Sequence, residues 1–289
     1  MLKKIQMEDE KDAAKRTARA VAGRTVKDLT ILIKGGGEMA SGVAQRLVHS
    51  GFRVCITELP EPLAVRRGVS LCEAVFTGRT VVEGLAGRRV SGTEEVRRCW
   101  EEGEVPVVVD PQCAIRKALS PDVLVDAILA KNNTGTALSD APLVIGLGPG
   151  FHAGRDVHVV IETNRGHHLG RVIEAGEAEP DSGIPGDIGG YTRERVLRAP
   201  ASGRFRGMKQ IGDRIEKGEV VAEVGGVPVE ATISGVIRGI LHDGLAVEPS
   251  MKVGDIDPRA AREHCLAVSE KARAIGGAVL EAVMRKYNR

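Results

Sequence analysis

Aromatic residues are nearly absent, with four Phe, two Tyr and one Trp in 289 positions. Binding of single-stranded bases leans on exposed aromatic faces, and this chain has almost none to offer. Charge of one sign is lacking too. The 41 basic and 39 acidic residues leave a formal net charge of +2, so no global field draws the chain to nucleic acid. Together the two absences exclude a nucleic-acid partner.

The five cysteines, at 55, 72, 99, 113 and 265, are odd in number and form no C-x-x-C pair. That suits reduced thiols rather than a disulfide framework. No run approaches the roughly 18 continuous apolar residues of a membrane span. The segment Met1 to Asp28 has eight basic and five acidic side chains and no apolar signal-peptide core, so it reads as a charged arm or surface helix. The expectation is a soluble, cytoplasmic protein with no membrane partner.

What the chain does have is glycine, 36 residues against an average usage of roughly 7%. With aromatics scarce, the core is expected to be built from Val, Ile, Leu and Ala. Apolar runs at Leu29–Ile33, Arg53–Thr57, Pro106–Val109, Val123–Val125, Leu143–Leu147 and Val157–Ile161 alternate with helix-like stretches at 38–49, 94–102 and 113–119. Such alternation predicts an α/β fold, a Rossmann-like doubly wound and mostly parallel sheet over residues 29–195.

From about Glu174 the texture becomes Gly- and Pro-rich, and residues 196–258 carry an internal repeat at an offset of 32. Ala199, Ser202, Gly203, Arg206, Gly207, Gly212 and Glu216 recur as Ala231, Ser234, Gly235, Arg238, Gly239, Gly244 and Glu248. Residues 259–289 read as a C-terminal helix with Val268, Ala272, Ile275, Val279 and Val283 on one face. Gly276-Gly277 inside it weakens an isolated helix by about 1 kcal/mol per glycine, so a close backbone neighbour is expected there, on the body or on a second subunit of a homo-oligomer.

Gly35-Gly36-Gly37 with Ala40 makes G-x-G-x-x-A between a strand and a helix. There a backbone free of side chains, next to unpaired N–H groups, can approach a pyrophosphate. Glu58, about 20 residues on, is placed for a ribose diol and would repel a 2′-phosphate. Gly35, Gly36, Gly37, Met39, Ala40, Glu58 and the second glycine turn at Gly148 and Gly150 are therefore the candidate cofactor-binding residues. The other reading of the turn is tight helix packing with no ligand, and Glu38 at the helix start opposes a phosphate.

Catalytic candidates are sparse. Glu162, His167, His168 and Asp110 lie at or near strand ends, but no acid–base pair assembles from the sequence, and neither a G-x-S-x-G elbow nor a P-loop occurs. Four of the seven histidines fall between His152 and His168 without metal-ligand spacing, so no metal site is expected, and His158 reads as structural. Cys113 near a helix start could have its thiol activated by the helix dipole, but a buried apolar cysteine is the favoured reading.

The repeat, with Ala199-Pro200-Ala201-Ser202-Gly203 and Ile233-Ser234-Gly235-Val236-Ile237, resembles the two halves of a biotinyl/lipoyl-type barrel-sandwich hybrid. The hairpin that carries the modified lysine in such domains reads Val224-Gly225-Gly226-Val227 here, so no biotin or lipoyl attachment is expected. The stretches KGGGEMASGVAQRLVHSGF, ITELPEPLAVRR, DAILAK, VIGLGPGF and GDIDPR resemble the YqeB family. The glycine-turn half is similar to the XdhC/CoxI molybdenum-cofactor maturation factors. The resemblance implies an accessory protein of selenium-dependent molybdenum hydroxylases, with hydroxylase subunits or cofactor-maturation proteins as partners and NAD or molybdopterin cytosine dinucleotide as ligand. An NAD-dependent oxidoreductase and a docking scaffold without small-molecule chemistry stand as alternatives.

Overall fold

The computed structural model describes residues 25–288; the charged segment 1–28 lies outside them except for its last four residues. A nine-stranded sheet forms the body. Its strands are β1 (Thr30–Lys34), β2 (Arg53–Glu58), β3 (Arg79–Val82), β4 (Leu85–Val90), β5 (Val105–Val109), β6 (Val123–Asp126), β7 (Leu143–Leu147), β9 (Val159–Ile161) and β10 (Val172–Ile173), while β8 (His152–Ala153) pairs outside it with β11 (Gly176–Glu177). The order across the sheet is β10-β9-β7-β6-β1-β2-β5-β4-β3. Neighbours are parallel except at the two edges, β3 with β4 and β10 with β9.

The apolar runs are continuous because both faces of the sheet are covered. Ile31, Ile33, Val54, Ile56 and Val125 face one core, and Leu32, Cys55, Leu124 and Val144 face the other, the alternation a pleated strand imposes. Helix α1 (Glu38–His49) covers the first face. Helix α3 (Thr93–Glu101), which follows the short α2 (Ala74–Thr77), covers the second with Val96 and Cys99. The helix expected over 113–119 shrinks to α4 (Arg116–Leu119), because Cys113 has φ 52° and cannot be helical. Trp100 spends its indole N–H on Val54 O at 2.7 Å, and the core is mainly aliphatic, as the composition predicts, with Phe52, Phe151 and Phe205 as its buried rings.

After Ile173 the chain builds a β module of two four-stranded sheets, in order β12-β19-β17-β14 and β16-β15-β13-β18. Their ranges are β12 (Val196–Arg198), β13 (Gly203–Gly207), β14 (Arg214–Ile215), β15 (Val220–Val224), β16 (Val227–Glu230), β17 (Gly235–Ile240), β18 (Ala246–Val247) and β19 (Lys252–Asp257). A shift of 32 residues turns one order into the other, strand for strand. The repeated residues make the repeated contacts. Ser202 Oγ donates to Glu248 and Ser234 Oγ donates to Glu216, each at 2.7 Å. Gly212 N donates to Ile237 O and Gly244 N to Phe205 O, each at 2.8 Å.

The chain then passes α5 (Glu263–Leu266) and returns to the body as α6 (Glu270–Tyr287), capped by the Ser269 hydroxyl. Helix α6 lies beside α1 and parallel to it. Glu38 meets Ser269, Gly42 faces Ala272, and Gly276 faces Gly42 and Arg46. A Cβ at Gly276 would sit 2.6 Å from Gly42 O, which is the close approach its sequence predicts. Both helices therefore start at the carboxyl edge of the sheet. Among the described residues no helix is long and apolar enough to cross a membrane.

Candidate functional site

Strand order reverses at β1, whose neighbours are β2 on one side and β6 on the other, so the ends of these strands define the place to look for a ligand. β1 ends on Lys34 and β6 on Asp126, which are register partners. Lys34 Nζ lies 3.1 Å from Asp126 Oδ2 and donates to Thr136 Oγ1 at 2.6 Å, and Thr136 donates to the same Asp126 oxygen at 2.6 Å. All three are buried. Lys34 and Thr136 are not among the residues that the motifs single out. The available signal was a lysine closing an apolar run, which must find an acid once buried, and Asp126 closes the neighbouring run.

Beside this triad, on the α3 face, a cleft of about 340 Å³ is lined by Lys34, Cys113, Arg116, Lys117, Gly135 and Asp140 among others. Arg116 is held by Asp140 at 3.0 Å. Cys113 is buried, which pushes its thiol up, partly offset by a hydrogen bond with Thr57 and the charge of Lys34. Asp110 does not enter the cleft lining. Its carboxylate accepts from Ile115 N at 2.8 Å and closes the turn that precedes α4.

The glycine turn lies on the α1 face. Gly36 N donates to Glu58 Oε2 at 2.6 Å, and Leu59 N donates to Glu58 Oε1 at 2.8 Å. Burial raises the Glu58 carboxyl above its ordinary value, and these two N–H groups work against that. A Cβ at Gly36 would meet Cys72 at 2.9 Å, and one at Gly35 would meet the Ala127 backbone at 3.3 Å; Gly37 faces open space. Met39 packs half-buried against the core, and Ala40 is fully buried under α1. Glu38 is not free to repel an anion. Burial pushes its carboxyl up, but the charge and hydrogen bonds of Arg66, with the Ser269 N–H, bring it below its ordinary value.

The chain leaving β6 is strained, with Leu129 at φ 59° and Lys131 at φ 65°, a conformation costly for residues with a side chain. The second glycine turn presses on it. A Cβ at Gly150 would fall 2.7 Å from the Lys131 and Asn132 backbone, and one at Gly148 would fall 2.4 Å from Thr163 Oγ1. Glu162 is buried, its two oxygens accepting from Asn164 N at 2.6 Å and Glu179 N at 2.7 Å. His167 and His168 are exposed and meet edge to face at 5.1 Å. The catalytic candidates are thus spread along the edge rather than brought together. His158 accepts from Val144 N at 2.9 Å in a structural role. All five cysteines are buried and unpaired, and among the described residues no group of three or more His, Cys, Asp or Glu is placed to hold a metal.

Over 254 residues, 88% of its length, the chain is 49% identical to the Escherichia coli K12 protein named "Uncharacterized protein YqeB". The chain is homologous to YqeB. It spans about half of that relative, 47% of its length. No family model matches the chain. Among solved structures, an aspartoacylase family protein of Mesorhizobium loti aligns with 79% of the chain and 85% of its own, at 15% identity and a TM-score of 0.26. The ectoine utilization protein EutE (DoeB) of Ruegeria pomeroyi aligns over the same shares at 11% identity and a TM-score of 0.25. Superpositions this loose carry nothing about activity.

Proposed function

We propose that the chain, as a member of the YqeB family, is an accessory protein of selenium-dependent molybdenum hydroxylases that binds a dinucleotide at the carboxyl edge of its sheet. The observation that carries the reading is the strand order β5-β2-β1-β6-β7-β9 with its reversal at β1, the order of dinucleotide-binding Rossmann folds. A glycine turn follows its first strand and an acid closes its second. NAD and molybdopterin cytosine dinucleotide are the ligands in question, and hydroxylase subunits or cofactor-maturation proteins the partners.

The residues fit such a ligand in part. An ionised carboxylate offers about four acceptor sites, so Glu58, with two engaged by backbone N–H groups, retains capacity for a ribose diol. Gly37 leaves room beside the start of α1, and the Glu38 charge that would oppose a phosphate is compensated by Arg66. Gly36 does not fit a pyrophosphate contact, since its N–H is engaged and its Cα is covered by Cys72. The phosphates are therefore assigned to the Gly37 side. The β module, read as a barrel-sandwich hybrid without an attachment lysine, serves as a rigid docking element. The oxidoreductase alternative lacks a proton-handling pair, because among the described residues the Glu162 carboxylate bonds to Asn164 N and Glu179 N and no hydrogen bond joins it to His167 or His168.

Calorimetric titration with NAD and with molybdopterin cytosine dinucleotide tests the ligand. Saturable binding of one of them, lost in Gly37→Trp while the thermal midpoint stays unchanged, is expected. Absence of saturable binding for both, or equal binding by the variant, overturns the proposal.

A further inference from the structure

Arg238 in β17 is the repeat mate of Arg206 in β13. Arg206 is exposed and meets Glu223 across the strand pair at 3.4 Å. Displaced by one repeat, Glu223 becomes Asp255, so the same pairing is available in the second half. It is not made. A bulge between Ile237 and Gly239 takes Arg238 out of register with β19, and Asp255 is hydrogen-bonded by Arg195 instead. Arg238 is left 6% exposed. Its Nε is buried without an acceptor among the described residues and stands 3.9 Å from Asp257, beyond hydrogen-bond reach.

The surrounding charges resolve into pairs. Arg66 holds Glu38 at 3.3 Å, Arg195 holds Asp255, and Arg259 holds Asp257 at 2.7 Å. Each of these three carboxylates thus has its own guanidinium, while among the described residues Arg238 and Lys252 make no side-chain hydrogen bond to any of them. The carboxylate beside Lys252 is that of Asp255, at 3.9 Å and already engaged. Lys252 keeps 41% of its side chain exposed and so marks the way in from solvent. His264 Nδ1 is also buried without a partner and lies 3.9 Å from Asp257. It is a further donor in the tautomer that carries the proton there.

We propose that Arg238 and Lys252 form a site for a phosphate-class dianion at the junction of the β module and the body. Two surplus cations match a doubly charged oxyanion, whereas a carboxylate leaves one of them uncompensated. Buried charge is retained where it is paired and hydrogen-bonded, and here the chain itself supplies every component except the acceptor. Burial and the neighbouring Arg66 both work against the charge of Arg238, a cost that a bound dianion offsets.

Calorimetry on the full chain at neutral pH and low ionic strength tests this with inorganic phosphate, with acetate as a singly charged arm and a nucleoside monophosphate as an esterified arm. Saturable phosphate binding is expected, with acetate at least about tenfold weaker, the scale of one charge-assisted hydrogen bond. Arg206→Gln should bind as wild type and Arg238→Gln should not bind. If Arg238→Gln fails to fold, Lys252→Met at the rim, shown folded by circular dichroism, should weaken phosphate by about tenfold. A monophosphate that binds more tightly than phosphate assigns an esterified ligand, and equal binding assigns the free ion. No saturable phosphate binding by wild type, wild-type affinity in Arg238→Gln or Lys252→Met, or acetate binding as tightly as phosphate overturns the proposal.

Discussion

Arg66 ties the body both to the β module and to the segment that leads into α6. Its guanidinium pairs with Glu38 and donates to three carbonyls, Arg238 O at 3.1 Å, His264 O at 3.2 Å and Ala267 O at 3.0 Å. Removing one partner of a buried pair leaves an uncompensated charge, so Arg66→Met is expected to cost about 3–5 kcal/mol near neutral pH, read from urea unfolding. The sign of the pH dependence follows from Glu38. In the wild type its lowered pKa contributes stability that is full above the ordinary carboxylate range and lost as pH falls through the lowered value. Without Arg66, burial of Glu38 is opposed only by the Ser269 N–H and the charge of Arg238, so its pKa should rise and the deficit of the variant should narrow as pH is lowered into the ordinary carboxylate range. A deficit independent of pH would separate the Arg66 effect from Glu38. Nothing in the sequence pointed to Arg66, because residues 59–69 have no periodicity, and its acceptors are carbonyls about 170 to 200 positions away. Glu38, by contrast, was read as an obstacle to phosphate, and only its partner changes that reading.

Among the elements, the α1–α6 pair shows why two adjacent glycines in one helix can have opposite meanings. A side chain at Gly276 meets Gly42 O, whereas one at Gly277 meets nothing within 4 Å. Gly277→Ala is therefore expected to raise stability by about 0.5–1 kcal/mol through helix propensity. Gly276→Ala should lower it despite the same propensity gain, and differential scanning calorimetry of the two variants checks the contrast. The Gly-Gly pair was legible as a site of close approach, but which glycine met the neighbour depended on the rotation of the helix. Strands β1, β2, β5, β6 and β7 were legible because a doubly covered strand is apolar along its whole length. The β3–β4 hairpin was missed, since an edge strand reading Arg-Thr-Val-Val is half solvated. Its turn uses Glu83 at φ 46° with Gly84, where Asn or Asp would have been the stronger signal. At the candidate site the glycines were legible and the Lys34–Asp126–Thr136 triad was not, because residues 102 positions apart meet only when β1 and β6 become neighbours.

The molecule is continuous in space where it is interrupted in sequence. The body is left at Val196 and completed only by α6, which buries Ala272, Ile275, Val279 and Val283 against it. Each large apolar side chain so buried contributes about 1.5–3 kcal/mol, which in sum is comparable to the net stability of a whole domain, about 5–15 kcal/mol. A chain ending at Pro258 is therefore expected to lose cooperative unfolding of the body, and hydrogen exchange should show β1 and α1 deprotected while β13 and β17 of the module stay protected. Of the segments read from the sequence, 259–289 thus contributes its helix to the core of the body. The β module carries a different record. Ser202 reaches Glu248 in the other half, and Ser234 reaches Glu216 in the first, so each 32-residue half supplies the carboxylate that its partner's serine needs. Two identical free peptides could exchange the same bonds about a twofold axis. The module has the anatomy of a homodimer whose protomers were fused end to end, with Arg238 at the point where the fused copy diverged from its twin.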